Sequence, residues 1–184
     1  MTRVEIIMVT IAYIALGSNV SPLSNIVDAV AMIQRVARVS GASTFYRTAP
    51  FGPPGQPEFR NGVIRVETVA SATDLKFGIL RVIESRLGRV RSDDRYAPRP
   101  IDLDILIFGN DVIHENGLTI PDPDLRERPF LAVPLLELDS LLILPDSGEP
   151  LSGLASVRSA TPMAADATLT RLVKEKLGLW TRPE

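Results

Sequence analysis

Asp102 and Asp104 stand two residues apart in Arg99-Pro100-Ile101-Asp102-Leu103-Asp104-Ile105-Leu106. In a strand, residues two apart point to the same face. The two carboxylates therefore project together, while Ile101, Leu103 and Ile105 turn to the core. Adjacent carboxylates repel unless a cation neutralises them. Hard oxygen ligands suit magnesium, which shares its shell with phosphates and water. The spacing alone fits a solvated strand face equally well.

The loop before this strand adds Arg86, Arg89, Arg91, Arg95 and Arg99. The planar guanidinium fork binds phosphate oxygens in pairs. Arginines beside a magnesium-type carboxylate pair are equipment for a polyphosphate. Asp93 and Asp94 would balance the same loop if it were merely solvated. Glu84, just upstream, reads as a surface carboxylate, or as one that orients an arginine or accepts from a nucleotide. Phe59 and Asn61 supply a stacking face and an amide that both donates and accepts, which a flat heterocycle needs. His114 reads as a bystander. The chain has no Walker loop, no GxGxxG turn and no Ser/His/Asp set, so common phosphate-loop schemes are excluded.

These groups need a scaffold. Val9–Leu16 reads as a strand ending in the Gly17-Ser18-Asn19 turn. Ser21 and Pro22 open a helix with an apolar stripe at Leu23, Ile26, Val27, Val30 and Ile33, extending to about Val39. Gly41–Arg47 and Asn61–Glu67 read as strands around a Pro- and Gly-rich loop, Ala49–Pro57. Ser71 or Thr73 caps a second helix striped by Leu75, Ile79, Leu80, Ile83 and Leu87, and Gly88 ends it. Ile101–Phe108 is a strand, Gly109-Asn110 a turn, Pro121–Pro129 a loop, Phe130–Leu138 a short helix or strand, and Thr168–Leu177 a helix. The order is βαββαβ, an α+β ferredoxin-like sandwich with an antiparallel sheet, helices on one face and added C-terminal elements.

The 184 residues read as one domain, with 1–8 read as an extension, Met8 as a second candidate start and 146–184 as a less patterned tail. Hydrophobic residues make up 45 % and charged residues 23 %, so a core can form without staples; the absence of cysteine excludes disulfides. The run Ile6–Leu16 is too short to span a membrane. The net charge is −2, from 20 basic and 22 acidic residues, which argues against a nucleic-acid binder. A metabolite-sensing module on the same scaffold would need neither the aspartate pair nor the arginines.

Ordered motifs run from Val9 to Pro145: Ala15-Leu16-Gly17-Ser18-Asn19, Phe45-Tyr46-Arg47-Thr48-Ala49-Pro50-Phe51-Gly52, Gln56-Pro57-Glu58-Phe59-Arg60-Asn61, Leu87-Gly88-Arg89, Pro98 to Gly109, Leu118-Thr119-Ile120-Pro121 and Arg128-Pro129-Phe130. With these the chain resembles the 6-hydroxymethyl-7,8-dihydropterin pyrophosphokinases of folate biosynthesis. The resemblance implies a cytoplasmic enzyme acting on ATP and the pterin, with two magnesium ions bound with ATP on Asp102 and Asp104. It implies no nucleic acid, membrane or obligate protein partner. Arg89 and Arg99 would be catalytic, and Glu84, Arg91, Tyr96, Ile105, Leu118, Thr119, Asp122 and Arg128 would serve the nucleotide. Thr48, Ala49, Phe51, Phe59, Asn61 and Phe130 would form the pterin slot. Two positions depart from the family pattern: Asp122 replaces a histidine and Gly117 an arginine. Asp122 could turn to solvent, pair with Arg126 or Arg128, or help to bind a cation; pairing with Arg128 is the favoured expectation, and weaker ATP binding follows from it.

Overall fold

In the computed structural model, which describes residues 8–50, 55–90, 97–115 and 117–180, β1 (Thr10–Ser18) is the inner strand that the site is built around. It pairs antiparallel with β4 (Phe59–Thr68) on one side and with β5 (Asp102–Phe108) on the other. β2 (Arg38–Ala42) and β3 (Tyr46–Thr48) share the far side of β4, and β8 (Ala164–Ala165) closes that edge against β3. The expected strand Gly41–Arg47 is thus two short strands. A hairpin of β6 (Ile113–Glu115) and β7 (Leu118–Ile120) stands apart, with His114 paired to Thr119.

Both faces of the sheet are covered, which corrects the expectation of helices on one face. Alternating side chains send Ile14, Leu16, Ile64, Leu103 and Ile105 to one side, against α1 (Pro22–Ile33) and α2 (Arg81–Arg86). A π-helical segment, Asp74–Leu80, leads into α2. The other side carries Tyr13, Ala15 and Val63, which pack on Ala132 and Leu135 of α3 (Pro129–Leu138). Each large aliphatic buried in this way contributes about 1.5–3 kcal/mol. The four-residue α4 (Ala155–Arg158) backs α3, while α5 (Ala167–Lys176) docks beside α1 through Leu169 and Val173.

Local chemistry explains the boundaries. Pro22 starts α1, but Ser21 has φ 45° and makes no side-chain cap. The helix stops at Ile33 rather than Val39, because Arg35 and Val36 tighten to i→i−3 bonds on Met32 and Ile33 and lead into β2. Ser71, not Thr73, caps the second helix: its Oγ accepts from Asp74 N at 3.1 Å. Gly88, at φ 85°, ends α2 as expected. No described helix is long and apolar enough to cross a membrane.

Candidate functional site

β5 is an edge strand, and its Asp102 and Asp104 face away from Leu103 and Ile105, as the alternation requires. Arg89 and Arg99 both donate to Asp102, one to each oxygen. Burial opposes ionisation of Asp102, yet the two guanidinium groups outweigh it and hold the carboxyl below its usual range. Behind this cluster Glu84 is only 2 % exposed. Its Oε1 accepts from Arg89 and, at 2.8 Å, from the backbone N–H of Leu103. Burial lowers the proton affinity of Arg89, but Asp102 and Glu84 more than restore it. Glu84 is therefore no surface carboxylate; it sits beneath the site and orients an arginine.

The end of β1 and the following Asn19 grip the segment leading into β5. Asn19 Oδ1 accepts from Arg99 N at 2.7 Å, Asn19 N donates to Arg99 O at 3.1 Å, and Ser18 Oγ donates to Pro100 O at 2.6 Å. These bonds set the start of the Arg99 side chain. The turn expected at Gly17-Ser18-Asn19 starts later, because Gly17 and Ser18 stay paired in β1.

A cavity of about 360 Å³ opens on this face. Arg99, Asp102, Asp104, Asp122 and Arg128 line it together with Thr48, Ala49, Phe59, Asn61 and Phe130. Charged side chains and the aromatic and amide side chains, drawn from separate segments of the chain, share one hollow. Asn61 donates from Nδ2 to Thr48 Oγ1 at 2.7 Å. Its carboxamide lies over Gly17, where a Cβ would come within 2.7 Å of Asn61 Oδ1. Glycine at 17 is thus what lets the amide lie flat on β1. Arg128 sits 6.0 Å from the Phe130 ring centre.

Other expected residues lie elsewhere. Glu84 and Arg89 stand behind the cavity wall. Ile105 and Leu118 are buried in the core, leaving their backbone as the part able to meet a ligand, and Thr119 is exposed on the hairpin. Phe51, Arg91 and Tyr96 lie outside the described residues.

Asp122 does not pair with Arg128. The register of β1 and β5 slips beside Tyr13, leaving Leu106 without a partner on β1, and the Leu106 carbonyl accepts from Asp122 N at 2.9 Å. The Asp122 carboxylate then caps the short 3₁₀ turn Pro123–Arg126 by accepting from Asp124 N at 2.8 Å. Arg128 Nε donates to Asp124 Oδ2 at 3.1 Å, and Arg126 pairs with Asp146. Capping satisfies Asp122 locally, which the expected ion pair overlooked. Burial pushes its carboxyl up to about 6, the charges of Asp104 and Asp124 add to this, and the Asp124 N–H and Lys76 oppose it.

A raised acid contributes stability that is complete below its unfolded value near 3.8 and is lost as pH rises through about 6. Asp122→Asn keeps the cap and stays neutral. It is expected to match wild type near pH 4 and to be more stable by about 1–2 kcal/mol at pH 8, less than the full shift implies because the group faces an open cavity. Urea unfolding at the two pH values checks this; a variant equally stable at pH 8 would contradict it.

Sequence reading missed Lys76. It lies in the π-helical segment, reaches the edge of β5, and donates from Nζ to Leu103 O at 2.7 Å and to Asp104 Oδ1 at 2.5 Å. A signal was present: Lys76, Leu80, Ile83 and Leu87 follow helical spacing, so the lysine occupies an apolar stripe. Asp124, another residue lining the cavity, had no such signal.

Asp102 and Asp104 offer hard oxygens on one face of the cavity. Among the described residues no group of three His, Cys, Asp or Glu could hold a metal by itself. A divalent cation here would complete its shell with substrate oxygens and water, as magnesium commonly does, so the donor set fits that ion.

A sequence model of the 7,8-dihydro-6-hydroxymethylpterin-pyrophosphokinase family matches residues 13–140. A 2-amino-4-hydroxy-6-hydroxymethyldihydropteridine pyrophosphokinase of Haemophilus influenzae is 42 % identical over 139 residues, covering 74 % of this chain and 86 % of that protein. The protein of the same name from Pseudomonas aeruginosa is 39 % identical over 142 residues, 76 % of this chain and 86 % of its own. A crystal structure of an HPPK-DHPS in complex with substrates shares the fold, with a TM-score of 0.62 and 14 % identity, over 82 % of this chain and 43 % of that one.

Proposed function

This chain belongs to the 7,8-dihydro-6-hydroxymethylpterin-pyrophosphokinase family, and we propose that it moves a pyrophosphate group from ATP to 6-hydroxymethyl-7,8-dihydropterin, with magnesium, and releases AMP. The observation that carries this is the shared cavity, in which the Asp102–Asp104–Arg99 group and the Thr48–Phe59–Asn61–Phe130 group meet. We also read the scaffold as ferredoxin-like, since the sheet order β5-β1-β4-β3 suits a βαββαβ path with one strand divided.

On this reading Phe59 and Phe130 stack the pterin ring and Asn61, held by Thr48, reads its edge. Arg99 and Arg128 hold phosphate oxygens, and Arg89, fixed by Glu84, acts beside Arg99. Bound magnesium, held by Asp102 and Asp104, would offset charge on the phosphates. The hydroxymethyl oxygen attacks the β-phosphorus and forms the new O–P bond. The bond from the β-phosphorus to the α,β-bridging oxygen breaks, AMP leaves with the electron pair, and the hydroxyl proton passes to solvent. Placing the two reactants in one hollow is the main contribution of the protein to this step. Asp122, ionised above about pH 6, adds negative charge beside a polyanion, so ATP binding weaker than in histidine-bearing relatives remains part of this reading.

ATP labelled at β or at γ, in separate reactions, tests the transfer. Both labels should move to the pterin. Transfer of the γ label alone would make the protein an ordinary kinase and refute the proposal.

Gly17→Ala separates the two halves of the cavity. The new methyl must push Asn61 off β1, which breaks its bond to Thr48 without touching the arginines. The KM for the pterin is expected to rise about tenfold, about 1.4 kcal/mol, with the KM for ATP nearly unchanged. Equal rises in both constants would show that Asn61 does not belong to a separate pterin subsite.

A further inference from the structure

We propose that Lys76 is a built-in counter-cation for Asp104, one that keeps a bare divalent ion from settling in the cavity until nucleotide phosphates arrive. The inference rests on the reading of Asp102 and Asp104 as the metal-binding pair. Lysine is almost never fully buried unless paired, and Lys76 is 7 % exposed. Its partner is far more open: the Lys76 side chain is 9 % exposed and that of Asp104 48 %. The asymmetry matters. The ammonium is fixed from behind by the Leu103 carbonyl at 2.7 Å, and the carboxylate is presented to the cavity with Oδ1 already engaged at 2.5 Å.

Among the described residues, the charges that pair on and against β5 balance. Arg89, Arg99 and Lys76 carry three positive charges, and Glu84, Asp102 and Asp104 three negative ones. Asp122, on the same wall and within the field of Asp104 and Lys76, spends an oxygen on the Asp124 N–H, and Asp124 pairs with Arg128. A bare dication entering this cluster meets the one uncompensated charge of Asp122 and an ammonium already bonded to one of its ligands. A polyphosphate brings the negative charge that the cluster lacks. Lys76 thus makes cation binding depend on the nucleotide. The π-helical backbone suits this role, since the widened turn is a local departure from regular helix that is frequent at functional sites.

Lys76→Met removes the charge, keeps a long flexible side chain at an apolar position, and leaves Asp104 half in water, so folding should survive. Lys76→Leu serves as a second variant, with circular dichroism as the check on folding. Mn²⁺ alone, followed by electron paramagnetic resonance without nucleotide, is expected to bind about tenfold more tightly to the variants than to wild type, the size of one like-charge repulsion across a wet site. With a non-hydrolysable ATP analogue present the difference should shrink to about twofold or less, because the phosphates then dominate the field. Folded variants that bind Mn²⁺ alone no more tightly than wild type would overturn the role of Lys76, as would loss of folding in both variants, which would mark the pair as structural. If neither wild type nor variant retains Mn²⁺ even with the analogue, the metal assignment of Asp102 and Asp104 fails, and the proposal fails with it.

Discussion

Asp102→Asn is expected to fold and to lose at least about two orders of magnitude in turnover, about 2.7 kcal/mol of transition-state stabilisation. Asparagine keeps the shape of the side chain. It removes the negative charge to which Arg89 and Arg99 both donate and, on the proposed function, the charge of one of the two carboxylates that would hold the cation. The arginines would then lose their common anchor as well as the metal. The shift of Asp102 also predicts how stability changes. Its folded carboxyl is held below the ordinary 3.8, so its contribution is present above that value and is lost as pH falls through the lower folded value. The variant should therefore be less stable than wild type at pH 7, and the gap should close in acid. Turnover at saturating magnesium, alongside urea unfolding, checks both halves. Near-normal turnover in the folded variant would remove Asp102 from the catalytic group.

Glu84→Ala should cost about 3–5 kcal/mol of stability, the range for breaking a buried ion pair from one side. The substitution leaves the Leu103 N–H without its acceptor and Arg89, a largely buried guanidinium, with one partner fewer. Both groups lie inside the protein, so water replaces Glu84 poorly. Glu84→Gln retains an oxygen for Leu103 and should lose less, while still loosening Arg89. Chemical unfolding of the pair checks this order. A Glu84→Ala protein within about 1 kcal/mol of wild type would show that the carboxylate is not the support described here. Because Glu84 acts through Arg89, the Gln variant should lower kcat more than it raises the KM for the pterin.

The parts of the site legible in the sequence were those encoded locally. Asp102 and Asp104 share a face because a strand alternates, and Ile101, Leu103 and Ile105 are buried for the same reason. Gly88 could be read as a helix end from its type alone. Cross-strand facts could not be read this way. That Gly17 lies opposite Asn61 depends on the register of β1 and β4, and no local pattern reports a register. For Glu84 the sequence left a surface carboxylate and an arginine's support both open, and the choice is made only once α2 lies against β5 and brings Arg89 and Leu103 to it. The second face of the sheet was missed because Phe130–Leu138 is apolar almost throughout. With no polar side to give a period, nothing marked it as a helix seeking its own face of the sheet. Asp122 misled for a different reason: nearby arginines suggested an ion pair, and a proline-led turn captured the carboxylate first.

The most direct measurement is AMP release from ATP with the pterin and magnesium added separately and together. One AMP is expected per pterin pyrophosphate formed, and AMP release only when both are present. AMP or ADP appearing at the same rate without the pterin, or in the presence of a chelator that removes magnesium, would contradict it.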